Sequence, residues 1–174
     1  MGEQKTFFDV FRKYQPTEEL RRLLLRARTP VFRYQKDPLR VEVELTFDRH
    51  EDPELLYEIA EQCEKLYEAA SFRIFPHFPP ETFSMDLFPE VTAEAALSGA
   101  VTRGFFNHAT FSDDGSAITV SLPFGQHGVD FVSEAQTEAI VRNILLSRFG
   151  VTRDIRIVTG EDAGRFEAER ETRR

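Results

Sequence analysis

Four groups of residues in this chain have types and spacings that could do chemistry. The densest is cationic: Arg21, Arg22, Arg26 and Arg28, followed by Arg33 and Lys36. Side chains of that kind attract phosphates or carboxylates. Ordinary solubilising charge, with aliphatic stems laid over apolar surface, produces the same pattern. A second group is the adjacent pair Asp113-Asp114, which could hold a divalent cation. Gly115 follows at once, however, and Asp before Gly is favoured in turns on backbone grounds alone. The third group, Gly125-Gln126-His127-Gly128, matches a GxxG loop that clamps a nucleic-acid backbone when it joins two helices. Here it follows a strand and lacks the flanking Lys or Arg that phosphate contact requires, so a strand-to-helix turn is the favoured reading. The fourth is the set of histidines His50, His77, His108 and His127, none of which stands at metal-ligand spacing from another.

Other reactions need residues that are absent from the sequence. There is no nucleophile elbow, Walker loop or dinucleotide fingerprint. The lone Cys63 excludes an internal disulfide framework and a multi-cysteine zinc site, and its place on an apolar helical face predicts a buried thiol. Nothing in the pattern calls for a metal, a cofactor or a small-molecule substrate. A net charge of −8 argues against a general polyanion binder, but the charge is uneven. Residues 1–50 carry eleven Lys and Arg against eight acids, and residues 51–102 carry two against eleven. Any nucleic-acid contact is therefore expected from the N-terminal part. No apolar run approaches membrane length, the start MGEQK is polar, and a cytoplasmic setting is expected.

The elements that would carry these groups follow from periodicity. FFDVFRKY reads as a short helix ended by Pro16. Thr17 then caps TEELRRLLLRAR, whose Leu20, Leu23, Leu24 and Ala27 form a buried stripe and whose arginines face elsewhere. VFRYQ and LRVEVELTF, joined through KDP, read as a hairpin; Val41, Val43, Leu45 and Phe47 alternate with a wet face of Glu42, Glu44 and Thr46. Asp52 and Pro53 open a helix that buries Leu56, Ile59, Ala60, Cys63 and Tyr67 and shows a row of Glu to solvent. SFRIF is the next strand, and Pro76–Pro80 punctuates the chain. Two short helices separated near Pro89 come next, then a hairpin turning at Asp114-Gly115. A short helix is expected at Val129–Val132. Ser133 then begins a helix with Gln136 completing a capping box, and Gly150 ends it. Ala139, Ile140, Ile144 and Leu145 mark its apolar face, with Val141 and Phe149 flanking, and DIRIV is the final strand.

The order helix, hairpin, helix, strand thus occurs twice, over 17–75 and 81–158, with negligible identity between the copies. Duplication and the common habit of α+β folds both account for it. The expected architecture is α+β, with two small ββαβ-type lobes whose short sheets are covered by helices. The lobes span 1–76 and 77–159, and 160–174 is a charged linker or tail.

The stretch from Phe7 to Val158 resembles the N-terminal region of the PolC-type DNA polymerase III alpha subunit. The cues are TEELRRLLLRARTPVFRY, LRVEVELTF and PELLYEIAEQCEKLY in the first half. In the second they are GFFNHATFSDDGSAITVSLPF and SEAQTEAIVRNILLSRFGVTRDIRIV. The resemblance implies two truncated KH-like modules at the front of a long replicative polymerase. The metal-binding acids of the polymerase and exonuclease would lie downstream. It therefore implies a non-catalytic segment that contacts other replisome proteins. The alternative is a nucleic-acid-binding module meeting DNA through the basic N-terminal helix. The contact residues under either reading are Arg21, Arg22, Arg26, Arg28, Arg33 and Lys36.

Overall fold

The computed structural model describes residues 5–97, 106, 108–122 and 131–158, with backbone alone for 131–135. The chain is α+β, with two three-stranded sheets, each covered by helices. Contacts divide it into two compact units. One is 1–82 together with Arg148–Gly150; the other is 83–147 together with 151–174.

In the first unit, α1 (Phe7–Val10) is opened by a capping box. Thr6 Oγ1 accepts from Asp9 N–H, and the Asp9 carboxylate accepts from Thr6 N–H. These hydrogen bonds hold the Asp9 carboxyl below its usual range. The helix α2 (Glu18–Arg26) buries Leu20, Leu23 and Leu24, as the i, i+3, i+4 spacing requires, with Glu18 and Glu19 at its positive end. Strand β1 (Arg28–Gln35) starts earlier than Pro30 suggests. The chain leaves the helix at Ala27, passes through Thr29 at φ +43, and absorbs the irregularity as a register shift between Arg28 and Val31. Proline is tolerated there because β1 is an edge strand.

Strand β2 (Arg40–Thr46) is central, antiparallel to β1 and parallel to β3 (Ser71–His77). Between them runs α3 (Pro53–Leu66), capped by the Asp52 carboxylate on Glu54 N–H and led by Pro53. Its Leu56, Ile59, Ala60 and Cys63 are buried, while Glu54, Glu58 and Glu61 are exposed as a solvated face; Glu68 is exposed beyond the helix end, at φ +51. Tyr67 is only half-buried, but its ring packs on Phe11.

The alternation in β2 puts Val41, Val43 and Leu45 on one face with Phe72 and Ile74 of β3, and the helices cover that face. Phe7, Phe11, Phe32, Phe72 and Tyr67 build an aromatic cluster there, with centroid separations from 4.7 to 6.5 Å. The chain's many Phe residues are used in this way: large apolar area is buried with two torsions fixed per residue. Strand β3 runs on through Pro76 to His77, beyond the expected SFRIF, because an edge strand does not need the missing N–H. Arg148–Gly150 belong to this unit. Phe78 N–H donates to the Arg148 carbonyl at 2.6 Å, and the Phe149 ring packs on Phe78.

The second unit repeats the arrangement. Two short 3-10 turns, Pro80–Thr82 (in the first unit) and Met85–Leu87, precede α4 (Phe88–Leu97). Pro89 therefore does not separate two helices. It is the second residue of one helix, where a missing N–H costs nothing, and Thr92 lies inside that helix. Strands β4 (Thr110–Asp113) and β5 (Ala117–Ser121) are antiparallel, and β6 (Asp154–Val158) is parallel to β5. Phe88 packs on Phe111 at 4.9 Å, over the face formed by Ile118, Val120, Ile155 and Ile157.

The helix α5 (Phe131–Phe149) begins two residues before Ser133, which is inside it and not its N-cap. Nothing between Phe131 and Ser133 breaks a helix, so the expected short helix merges into it at Phe131 and Val132; Val129 and Asp130 lie outside the described residues. The buried stripe is Thr137, Val141, Leu145 and Phe149 at steps of four. Ala139, Ile140 and Ile144 are only half-buried. Gly150 ends the helix at φ +62, as its position predicts.

Candidate functional site

The arginines of the N-terminal part are positioned by two elements. Because α2 turns Leu20, Leu23 and Leu24 inward, Arg21, Arg22 and Arg26 stand on its outer side with Leu25. Arg28 and Arg33 lie on β1, and Lys36 is exposed in the hairpin turn. Four of the six meet carboxylates of their own chain. Arg22 Nε lies 3.3 Å from Glu18 one turn before it, with both side chains about 70% exposed. Arg28 pairs with Asp48, and Arg33 Nη2 lies 3.1 Å from Glu44 Oε2. Arg21 lies over the Phe8 ring, 5.5 Å from its centroid.

Arg26 is the most committed. Its Nε and Nη2 donate to the two oxygens of Glu51 at 2.8 and 2.9 Å, and Arg49 Nε adds a third bond at 3.3 Å. The Glu51 side chain is 9% exposed. Burial pushes its carboxyl up, but the hydrogen bonds from Arg26 and Arg49 outweigh that and hold it below its usual range. The Arg26 guanidinium is correspondingly raised by the bond to Glu51. A fork matched to a buried carboxylate fixes the end of α2 against the segment before α3. It does not offer a free cation to a ligand.

A second arrangement was hidden in the sequence. The face of the first sheet away from the helices carries Arg33 on β1, Arg40 and Glu42 on β2, and Ser71 and Arg73 on β3. Arg33 is the cross-strand partner of Glu42, and Glu42 of Arg73. These residues line an open concavity of about 620 Å³ with Tyr34 and Gln35. Arg40 and Glu42 make no ion pair among the described residues, and Arg73 lies over the Phe75 ring at 4.9 Å. The next row along the sheet holds Glu44, which takes Arg33 on one side and sits 3.3 Å from His77 Nε2 on the other. The sequence signal was the wet alternation of β2. The recurrence of that alternation in Ser71, Arg73, Phe75 completes the surface only once the parallel pairing of β2 and β3 is known.

The remaining candidates resolve locally. Asp114 Oδ1 accepts from Ser116 N–H, Ser116 Oγ and Ala117 N–H, and these bonds hold its carboxyl down to about 2. Asp113 Oδ1 accepts from Gly115 N–H and from Arg153 Nε. Both carboxylates are built into the hairpin turn, with Gly115 at φ +93. His50 packs on Phe78, His77 sits by Glu44, and His108 is exposed at φ +63. His127 and the whole GQHG tetrad lie outside the described residues. Among the described residues no group of three or more His, Cys, Asp or Glu could hold a metal ion, and no helix is long and apolar enough to cross a membrane. Comparison with family models, curated proteins and solved structures found no match.

Proposed function

We propose that this chain is a non-catalytic docking module of a bacterial, cytoplasmic replication machine, of the kind found at the N-terminus of PolC-type polymerases. It would act by contact with other replisome proteins. One observation carries the reading: helix, antiparallel hairpin, helix and parallel strand are built twice in succession with the same strand order. Two truncated KH-like modules in tandem are what the resemblance to the PolC N-terminal region implies. The pairing of Arg22, Arg26, Arg28 and Arg33 with acids of the same chain favours a protein partner over DNA, because each pair removes a cation from the potential that a polyanion would meet.

The test measures binding to purified replisome subunits by interferometry and to labelled single- and double-stranded DNA by anisotropy, each at low and at physiological salt. Saturable binding to a subunit with weak DNA affinity is expected. DNA binding that falls steeply with salt, is lost in the double variant Arg21→Glu/Arg22→Glu, and has no protein counterpart would overturn the reading. Those two positions are chosen because Arg26→Glu would set a new carboxylate against buried Glu51 and unfold the reporter.

A further inference from the structure

We infer that the open face of the first sheet binds a partner segment in extended conformation that carries alternating carboxylates. The partner's identity rests on the docking reading above, but the site itself is read from this face alone. Strands lie about 4.8 Å apart and side chains on one face recur about every 6.8 Å. Arg33 and Arg73, two strands apart, are therefore separated by roughly 10 Å at their Cα atoms. Arg40, two residues along β2 from Glu42, is roughly 8 Å from each. The Cα atoms of the three arginines form a triangle with Glu42 on its long side, between Arg33 and Arg73; the Arg33 guanidinium reaches to Glu44 and that of Arg73 lies over Phe75.

Charge complementarity selects the occupant. The cross-strand row reads cation, anion, cation: Arg33, Glu42, Arg73. A strand-like segment repeats its side chains on one face at the spacing of the sheet beneath it. It can place carboxylates over the arginines and a main-chain N–H or a hydroxyl over Glu42. A nucleic-acid strand has uniform charge and would set phosphate against Glu42 and, in the next row, Glu44. Arg40 and Arg73 have no carboxylate partner among the described residues, so their attraction is not already spent within the chain, whereas Arg33 is shared with Glu44. The concavity is open, which suits a segment laid across it and does not suit an engulfed small molecule.

The experiment uses the full chain and three labelled probes: a short peptide of alternating Glu and Thr, the same peptide with Lys for Glu, and an oligothymidylate. Binding is read by anisotropy and located by amide chemical-shift changes. The Glu peptide is expected to bind and to shift Arg33, Arg40, Glu42 and Arg73, while the Lys peptide does not bind. Arg40→Gln with Arg73→Gln, both exposed, should weaken binding about tenfold, the sum of two solvated ion pairs. Glu42→Gln should strengthen it several-fold, an effect that a purely structural role for Glu42 would not produce. Absence of Glu-peptide binding, or binding indifferent to these variants, overturns the inference. So does oligothymidylate binding tighter than the peptide through the same arginines. No replisome protein enters this assay, so its failure is distinct from failure of the proposed function.

Discussion

Replacing Arg26 by Met keeps the aliphatic stem over the apolar edge of α2 and removes the fork that holds Glu51. The Glu51 carboxylate, 9% exposed, then retains only Arg49 at 3.3 Å. Breaking a fully buried pair costs about 3–5 kcal/mol, and an exposed pair is worth about 0.2–1 kcal/mol. Arg26 is 38% exposed, so solvent screens part of the loss, and the expected cost is about 2 kcal/mol at neutral pH. In urea unfolding followed by circular dichroism, that is a midpoint shift of roughly 1 M for a slope of about 2 kcal/mol per molar. The pH dependence provides the sharper check. In the parent chain the folded Glu51 carboxyl is depressed. Its stabilisation is therefore present above the ordinary carboxylate range and lost as pH falls through the depressed value. In Arg26→Met burial dominates, the folded carboxyl is raised, and protonation relieves the penalty as pH falls. The gap between the two proteins must therefore narrow from pH 7 towards pH 4. Adding Glu51→Gln to Arg26→Met should restore about half of the loss. A pH-independent cost, or a shift below roughly 0.25 M, would show that Arg26 does not hold Glu51 as a buried carboxylate.

Two further expectations concern single residues. Gly150→Ala forces a side chain into φ +62 and brings its Cβ to 3.2 Å from Pro80 Cγ, whereas Gly115→Ala, at φ +93, meets nothing within 4 Å. Both should lower the melting temperature. The Gly150 variant should fall further, by roughly 5 °C for a backbone cost of about 1–2 kcal/mol, and equal shifts would show that Pro80 yields freely. Cys63 is buried and its thiol is pushed up to about 12 by burial, so at pH 8 only about one part in ten thousand is thiolate. A disulfide reagent should label it only in denaturant; rapid labelling of the native protein would show that α3 opens locally.

Much of the fold can be read from local pattern. Leu20, Leu23 and Leu24 recur at helical spacing, Val41, Val43 and Leu45 alternate, and Asp52-Pro53 and Gly150 mark helix ends by the conformations they favour. The pattern misleads where one residue has two uses. Pro89 reads as a break but opens α4. Ser133 reads as a cap but lies inside α5, and the apolar letters at Ala139, Ile140 and Ile144, read together with Leu145, drew the stripe away from Thr137 and Val141. The candidate surface was less legible for a non-local reason. The run Arg21 to Arg28 is conspicuous in sequence, but apart from the local pair of Arg22 with Glu18 its compensation comes from Asp48 and Glu51, twenty and twenty-five positions on from their partners. Glu42 and Arg73 look unrelated until a parallel crossover sets them side by side.

That crossover also orders events during synthesis. When β1 and β2 have left the ribosome, the central strand still has one unpaired edge, because its parallel neighbour lies beyond the whole of α3. A nascent hairpin in that condition is a template for pairing with another chain. The apolar side has a provisional cover, however: α1 and α2 are made first, and Phe7, Phe11 and the α2 leucines are available before Val41 emerges. The second unit keeps the same precedence, with Phe88 of α4 made before the Phe111 it shields. Placing a helix upstream of each hairpin gives the greasy side of each sheet an early, partial shelter; in the first unit α3, which completes the cover, is made only after the hairpin, just ahead of the last strand.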